Sequence, residues 1–342
     1  MRVLIKLAAV ICAAVCVFFL PGAEGETGRP AVLVSLGDSY SSGEGNEPFY
    51  GQELPLAEKA DLADWRAHRS ETGWAAMLMI PGTGHPAAFY KDGPDGNGAG
   101  EAVWYFRAAS GALIDHLYIP QYRPVKRGTV IRSGDEAMLE SQLSVFDLIP
   151  ENGTDWVTLT LGGNDAGFLD LLTICITDPG FAGGNTGEKI QVLWLERKEA
   201  LRDELTRAYR DIAARAGNRA RIIVAGYPCL LSEKGDGLLF SKSEAQAVNE
   251  AVRQLNALIR ECAEKCAAEG IRISFVSVEE EFAGHGAGDE EPYLYSFSLI
   301  PTREETVMPG ICCRSLHPNE KGQQAYARCV QAEIDRLSGA EE

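Results

Sequence analysis

The chain is short of histidine, carries no surplus of positive charge, and shows no internal repeat, linker or break in composition. Each shortage removes a class of function. With 32 Lys and Arg against 49 Asp and Glu, the formal net charge is −17, spread along the chain without a polyacidic tail. Such a surface has no electrostatic pull toward nucleic acid or an anionic membrane. Cys262 and Cys266 have no companion CxxC pair or histidine cluster, so no structural metal is expected. Without a linker, residues 30–342 are expected to form a single domain, and 45% hydrophobic content is ample for its core.

The amino terminus stands apart. Arg2 and Lys6 precede an apolar run from Leu7 to Leu20, then Pro21-Gly22-Ala23-Glu24-Gly25. A basic start, a short apolar stretch and small residues at its exit predict a signal peptide over residues 1–23, cleaved about 23–25. The mature chain is then exported, with no stable membrane insertion; an uncleaved membrane anchor is the alternative. The residues three before Cys12 and Cys16 are both alanine, which speaks against a lipid-modified cysteine. The other cysteines are Cys175, Cys229, Cys262, Cys266, Cys312, Cys313 and Cys329, an odd set that leaves at least one thiol unpaired within the chain. Export makes some disulfides plausible.

Five apolar, β-branched runs predict strands: Ala31 to Leu36, Ala102 to Ala108, Asp155 to Leu161, Ala220 to Ala225 and Arg272 to Val278. Helical periodicity covers Glu71 to Ile80, Glu136 to Leu148, Val192 to Ala216 and Ser241 to Glu269, and a last helix runs from His317-Pro318 to about Leu337. Glu44 to Asp64, Pro81 to Gly100, Asp178 to Gly187 and Gly284 to Gly310 read as loops. The basic side chains Arg123, Lys126, Arg127 and Arg132 read as a solvated loop patch. Strands alternating with helices of this length predict an α/β fold, a parallel sheet with helices on both faces.

Three of these strands end in small or hydrogen-bonding residues: Gly37-Asp38-Ser39, Ser110-Gly111, and Gly162-Gly163-Asn164-Asp165. In a parallel sheet those ends share one edge, where active sites form. Convergence there suits acyl transfer, with Ser39 as nucleophile and the Ser39 and Gly111 N–H groups and the Asn164 amide as oxyanion donors. Asp38 is expected to stabilise the turn. The base must be one of five histidines. His68, His85 and His116 fall in loop or helix-edge contexts away from strand ends. His317 opens the terminal helix late in the chain and is preferred, with His285, after the fifth strand, left open.

Taken in order, GDSYSSG around Ser39, ASGA around Gly111, GGND around Asn164 and SLHPN around His317 resemble the four blocks of the SGNH hydrolase superfamily, or GDSL esterases and lipases. HRSETGW, SQLSVFDLIPENGTDWVTLTLGGNDAGF, AGYP and FAGH are similar to its secreted bacterial esterase and lipase branch, and the likeness runs from about Ala31 to Leu337. It implies a flavodoxin-like three-layer α/β/α sandwich with a central five-stranded parallel sheet. It also implies hydrolysis of carboxylic esters without a cofactor, through an acyl-enzyme on Ser39.

Two positions depart from the superfamily pattern. The aspartate usual three residues before the histidine is Arg314, whose side chain cannot accept a hydrogen bond. The branch that works with a Ser-His dyad then implies a backbone carbonyl, that of Arg314, orienting His317. A cysteine pair common in the branch maps to Ala67 and Ala109, so both partners are missing. The likeness further implies a bridge from Cys229 to Cys312 or Cys313. The expectation is thus an exported, monomeric ester hydrolase acting on a small-molecule or lipid ester. A carbohydrate O-deacetylase, or a non-catalytic binding module on the same fold, is the alternative.

Overall fold

The computed structural model describes residues 29–59, 62–92, 100–124, 136–168, 186–235, 239–298 and 314–339. The expected signal segment, the basic side chains at 126, 127 and 132, and Cys175, Cys312 and Cys313 lie outside them.

Strand β1 (Ala31–Gly37) is followed by short helices α1 (Ser39–Ser42), α2 (Leu56–Lys59), α3 (Ala63–Arg66) and α4 (Trp74–Met77). Then come β2 (Ala102–Phe106), β3 (Gln121–Pro124), β4 (Glu136–Leu139) and β5 (Trp156–Thr160). The second half alternates α5 (Thr186–Ala216), β6 (Arg221–Ala225), α6 (Lys242–Ala268), β7 (Ile273–Val276) and α7 (Glu320–Gly339). The main sheet has five strands in the order β2-β1-β5-β6-β7, every neighbouring pair parallel. Taken over these strands in chain order, that is the doubly wound 2-1-3-4-5 arrangement.

Successive residues of a strand face opposite sides of the sheet. All five residues of β5 and all five of β6 are buried, so helices cover both faces and the fold is a three-layer α/β/α sandwich. This also explains the unbroken apolar runs, which parallel strands buried on both sides require. Buried polar side chains on the central strands are satisfied locally. Ser35 Oγ lies 2.9 Å from Thr158 Oγ1 and accepts the Trp104 indole N–H at 2.9 Å. Helix α6 starts where the sequence marks it, with a reciprocal capping box between Ser241 and Glu244.

The structure corrects two expected helices. Residues 136–148 form β4 and then a 3₁₀ segment, Gln142–Leu148. β4 pairs antiparallel with β3, Tyr122 facing Met138, a partner that helical periodicity does not reveal. The helix expected over Glu71 to Ile80 is only α4, because Leu78 turns extended and its carbonyl accepts the Ala87 N–H at 2.7 Å.

Candidate active site

β1 ends at Gly37 with φ +116°, and a Cβ there would sit 2.2 Å from the Thr160 carbonyl oxygen. Only glycine lets the chain turn so close to β5. Gln142 fixes the same residue from the other side, accepting its N–H at 2.7 Å and donating to its carbonyl at 2.8 Å. Asp38 then caps α1, its Oδ1 accepting the Tyr40 N–H at 3.0 Å and the Thr160 hydroxyl at 2.7 Å. Its Oδ2 accepts the Tyr227 hydroxyl at 2.5 Å. Burial pushes the Asp38 carboxyl up to about 6 against the lowering effect of these donors. The Asp38 oxygens are therefore engaged within the turn, while Ser39, one residue on, is left at the first position of α1 with 7% of its surface exposed.

His317 comes to Ser39 from the far end of the chain, with Nε2 2.7 Å from Ser39 Oγ. Its ring Nδ1 lies 3.1 Å from the Ser315 carbonyl oxygen. This corrects the expected role of Arg314: its carbonyl accepts the main-chain N–H of His317 at 3.1 Å, not the ring. The sharp return that aims Ser315 O at the ring passes through Leu316, whose φ is +60°. Backbone bonds hold that strained residue in place, Leu316 N–H to Tyr295 O at 3.0 Å and Tyr295 N–H to His317 O at 2.9 Å. The Tyr40 hydroxyl donates to Leu316 O at 2.7 Å, and its ring lies 5.2 Å from the imidazole between centroids. The exposed Arg314 side chain extends over the Tyr295 ring, 5.3 Å from its centroid.

Asn164 and Gly111 end β5 and β2 on the same edge. Asn164 Nδ2 donates to Ala112 O at 2.8 Å, which ties the two loops together and commits one of two amide hydrogens. Gly111 has φ +73° and, among the described residues, its amide and that of Ser39 find no protein acceptor. The Gly111 loop is fixed from behind: Ser110 N–H donates to Ala67 O at 2.9 Å, and Gln121 Nε2 donates to Ser110 O at 2.9 Å. On the other side Asp165, its carboxyl pushed up to about 6 by burial, accepts the Ile114 N–H at 3.1 Å. The Tyr227 hydroxyl accepts the Gly163 N–H at 3.1 Å, linking the residue before Asn164 to Asp38.

The remaining histidines lie elsewhere. His285 stacks on Tyr293 with centroids 3.9 Å apart, its Nδ1 2.7 Å from Glu291 O. His85 stacks on Phe89, and His116 Nδ1 accepts the Leu113 N–H. His68 departs from expectation. It is buried in the wall behind the site, its Nδ1 2.6 Å from Glu44 Oε2, on the segment whose Ala67 carbonyl anchors Ser110. Glu44, Gln142 and Tyr227 are not among the site residues expected from the sequence, and His68 is expected away from the site. Only the polarity of Gln142 and Glu44 within small-residue or apolar surroundings could have marked them. Where the branch has its cysteine pair, Ala67 and Ala109 are packed with Ala112 and Leu139 in a small apolar cluster. Among the described residues Cys229 has no disulfide partner, and its expected partners Cys312 and Cys313 lie outside them.

Known proteins share the sequence pattern and the fold. The GDSL-like Lipase/Acylhydrolase family matches residues 35–325. A lipase of Streptomyces rimosus is 27% identical over 296 residues, 85% of this chain and 81% of the relative. Lipase 1 of Streptomyces coelicolor is 26% identical over 306 residues, 88% of this chain and 87% of the relative. Among solved structures, the extracellular lipase of Streptomyces rimosus superposes with a TM-score of 0.57 at 24% identity, covering 89% of this chain and 99% of that one. Phospholipase A1 of Streptomyces albidoflavus superposes with a TM-score of 0.59 at 22% identity, again over 89% of this chain and 99% of that one. With its fold shared by those structures and its sequence matched over residues 35–325, the chain belongs to the GDSL-like lipase/acylhydrolase family and is an ester hydrolase.

Proposed function

We propose that the chain is an exported, single-domain serine esterase that hydrolyses carboxylic esters through an acyl-enzyme on Ser39. The observation that carries this reading is the 2.7 Å contact between His317 Nε2 and Ser39 Oγ, with the opposite ring nitrogen turned to a carbonyl. A carbonyl oxygen can only accept, so it holds the proton on Nδ1 and leaves the Nε2 lone pair for the serine hydroxyl. His317 takes that proton as Ser39 attacks the ester carbonyl, then delivers it to the departing alcohol; water, deprotonated by the same ring, releases the acid. Ser39 N–H, Gly111 N–H and the second Asn164 amide hydrogen receive the oxyanion, each donor being worth ~3 kcal/mol in the transition state. Ser315 O, two residues before the histidine, takes the orienting role assigned to Arg314 from the sequence.

Relatives named as lipases and a neighbour named as a phospholipase A1 make lipid esters a substrate class to try beside soluble ones. Export through a signal peptide cleaved about residues 23–25 and a monomeric state belong to the same proposal, checked by the amino-terminal sequence and the mass in solution of secreted protein. The decisive experiment combines a fluorophosphonate probe with p-nitrophenyl esters of increasing chain length. Ser39 should be labelled in the wild type and not in His317→Ala or Ser39→Ala, and the ester series gives the acyl preference. A wild-type enzyme that neither labels at Ser39 nor turns over any ester would overturn the reading.

A further inference from the structure

The nucleophile turn runs directly into Glu44, whose N–H donates to Ser39 O at 3.0 Å. The next two residues pack against the histidine loop. A Cβ on Gly45 would lie 3.2 Å from Arg314 Cβ, and Asn46 Nδ2 reaches Pro318 O at 3.5 Å. Glu44 is 1% exposed. Its Oε2 is taken by His68, which is itself clamped against Phe49 with ring centroids 4.8 Å apart and planes 13° from parallel. Its Oε1 is buried without a hydrogen bond of ordinary geometry, although the Ser110 hydroxyl helps to stabilise its charge.

We propose that Glu44, held by His68, is a positioning residue whose buried charge steadies the His317 imidazolium during acyl transfer, in place of a carboxylate on the histidine's own loop. A carboxyl sealed from water normally protonates instead of remaining charged. Burial does oppose the charge of Glu44, yet His68, and after it His317, hold the carboxyl well below the ordinary range. Interaction between two sites is reciprocal, so a histidine that favours ionised Glu44 is in turn favoured as imidazolium by Glu44. Glu44 and the two residues after it join three parts of the site: the Ser39 turn through the Glu44 N–H, the His317 loop through Gly45 and Asn46, and the Gly111 loop through Ser110.

Other ionisable groups surround the pair. Tyr40 faces the imidazole, Asp38 lies under the nucleophile turn with its oxygens taken by Tyr40, Thr160 and Tyr227, and Arg314 stands over Tyr295, which Glu47 and Glu320 also face. Asp38 titrates near 6 and can shape the acid limb of a rate profile, so the imidazole has to be read directly. The proposal rests on the Ser39 and His317 reading, and the experiment separates the two.

In ¹⁵N-histidine-labelled enzyme, the His317 ring is followed by NMR between pH 4 and 9, assigned with His317→Ala, beside kcat/KM. Glu44→Gln keeps shape and one donor contact but removes the charge. It should still be labelled at Ser39, with the His317 pKa about one unit lower and kcat/KM down by as much as about tenfold. His68→Gln keeps a donor on the carboxylate and should leave the His317 pKa at or above the wild-type value. A folded Glu44→Gln enzyme whose imidazole titrates as in the wild type overturns the proposal and leaves the Ser39 reading intact. A fall in His68→Gln as large as in Glu44→Gln points to packing damage and overturns it too. If Glu44→Gln does not fold, Glu44→Asp decides: a smaller downward shift supports the proposal and an unchanged one refutes it.

Discussion

Replacing Tyr227 by Phe removes one oxygen and cuts a hydrogen-bonded link between the floor of the nucleophile turn and the loop that carries Asn164. That hydroxyl donates to Asp38 Oδ2 at 2.5 Å and accepts the Gly163 N–H at 3.1 Å, and Tyr227 is 3% exposed. Losing a bond to a charged acceptor costs about 1.5–3 kcal/mol, and a buried N–H left without a partner adds about 1 kcal/mol, so destabilisation of about 2–4 kcal/mol is expected. The effect has a direction in pH. Burial raises the Asp38 carboxyl to about 6, and the Tyr227 bond is the strongest of the influences lowering it, so the variant moves this pKa upward. An acid whose folded-state pKa is raised stabilises the fold fully below its ordinary pKa and loses that contribution as pH rises through the folded value. Denaturant unfolding of Tyr227→Phe should therefore show the smaller deficit at pH 5 and the larger at pH 8. With Gly163 released, the Asn164 amide is held less firmly, and kcat should fall about tenfold with little change in KM. Hydrogen exchange at the Gly163 amide should accelerate. A stability deficit that is flat from pH 5 to pH 8, or wild-type kcat in the folded variant, would refute the reasoning.

Three further outcomes follow from the same geometry. Arg314→Ala should retain turnover within about threefold, since the residue offers His317 only a main-chain carbonyl, and a large loss in a folded variant would count against orientation by Ser315. Asp165→Asn should gain about 1–2 kcal/mol at pH 7.5, seen as a higher Tm, because a partly buried carboxyl raised to about 6 loses stability as pH rises through that value; the gain should vanish by pH 4. Gly37→Ala should cost more than about 3 kcal/mol or prevent folding, since its Cβ would meet the Thr160 carbonyl at 2.2 Å with φ at +116°, and a variant with wild-type Tm would show that β1 can move.

The sequence by itself determined the sheet and the edge proposed for catalysis. Apolar β-branched runs place the five parallel strands, each observed within two residues of the expected limits, because strands buried on both faces must be hydrophobic throughout. Small residues where strands end mark Ser39, Gly111 and Asn164, since a site at that edge needs exposed N–H groups and close approach. A late histidine before proline completes the proposed set. What remained hidden is whatever depends on distant partners. Residues 136–148 repeat their apolar side chains as a helix does, but pairing with β3 and the two hydrogen bonds exchanged between Gln142 and Gly37 draw them into strand and 3₁₀ turn. Ser315 rather than Arg314 faces the imidazole because Leu316 adopts a positive φ, which Tyr295 and Tyr40 hold and no local propensity favours. His68 and Glu44, twenty-four positions apart, form a buried pair only when the loop after β1 folds back over the sheet. Periodicity records which face of an element is buried; it holds no information on which polar atoms meet across the core, and there tertiary structure alone decides.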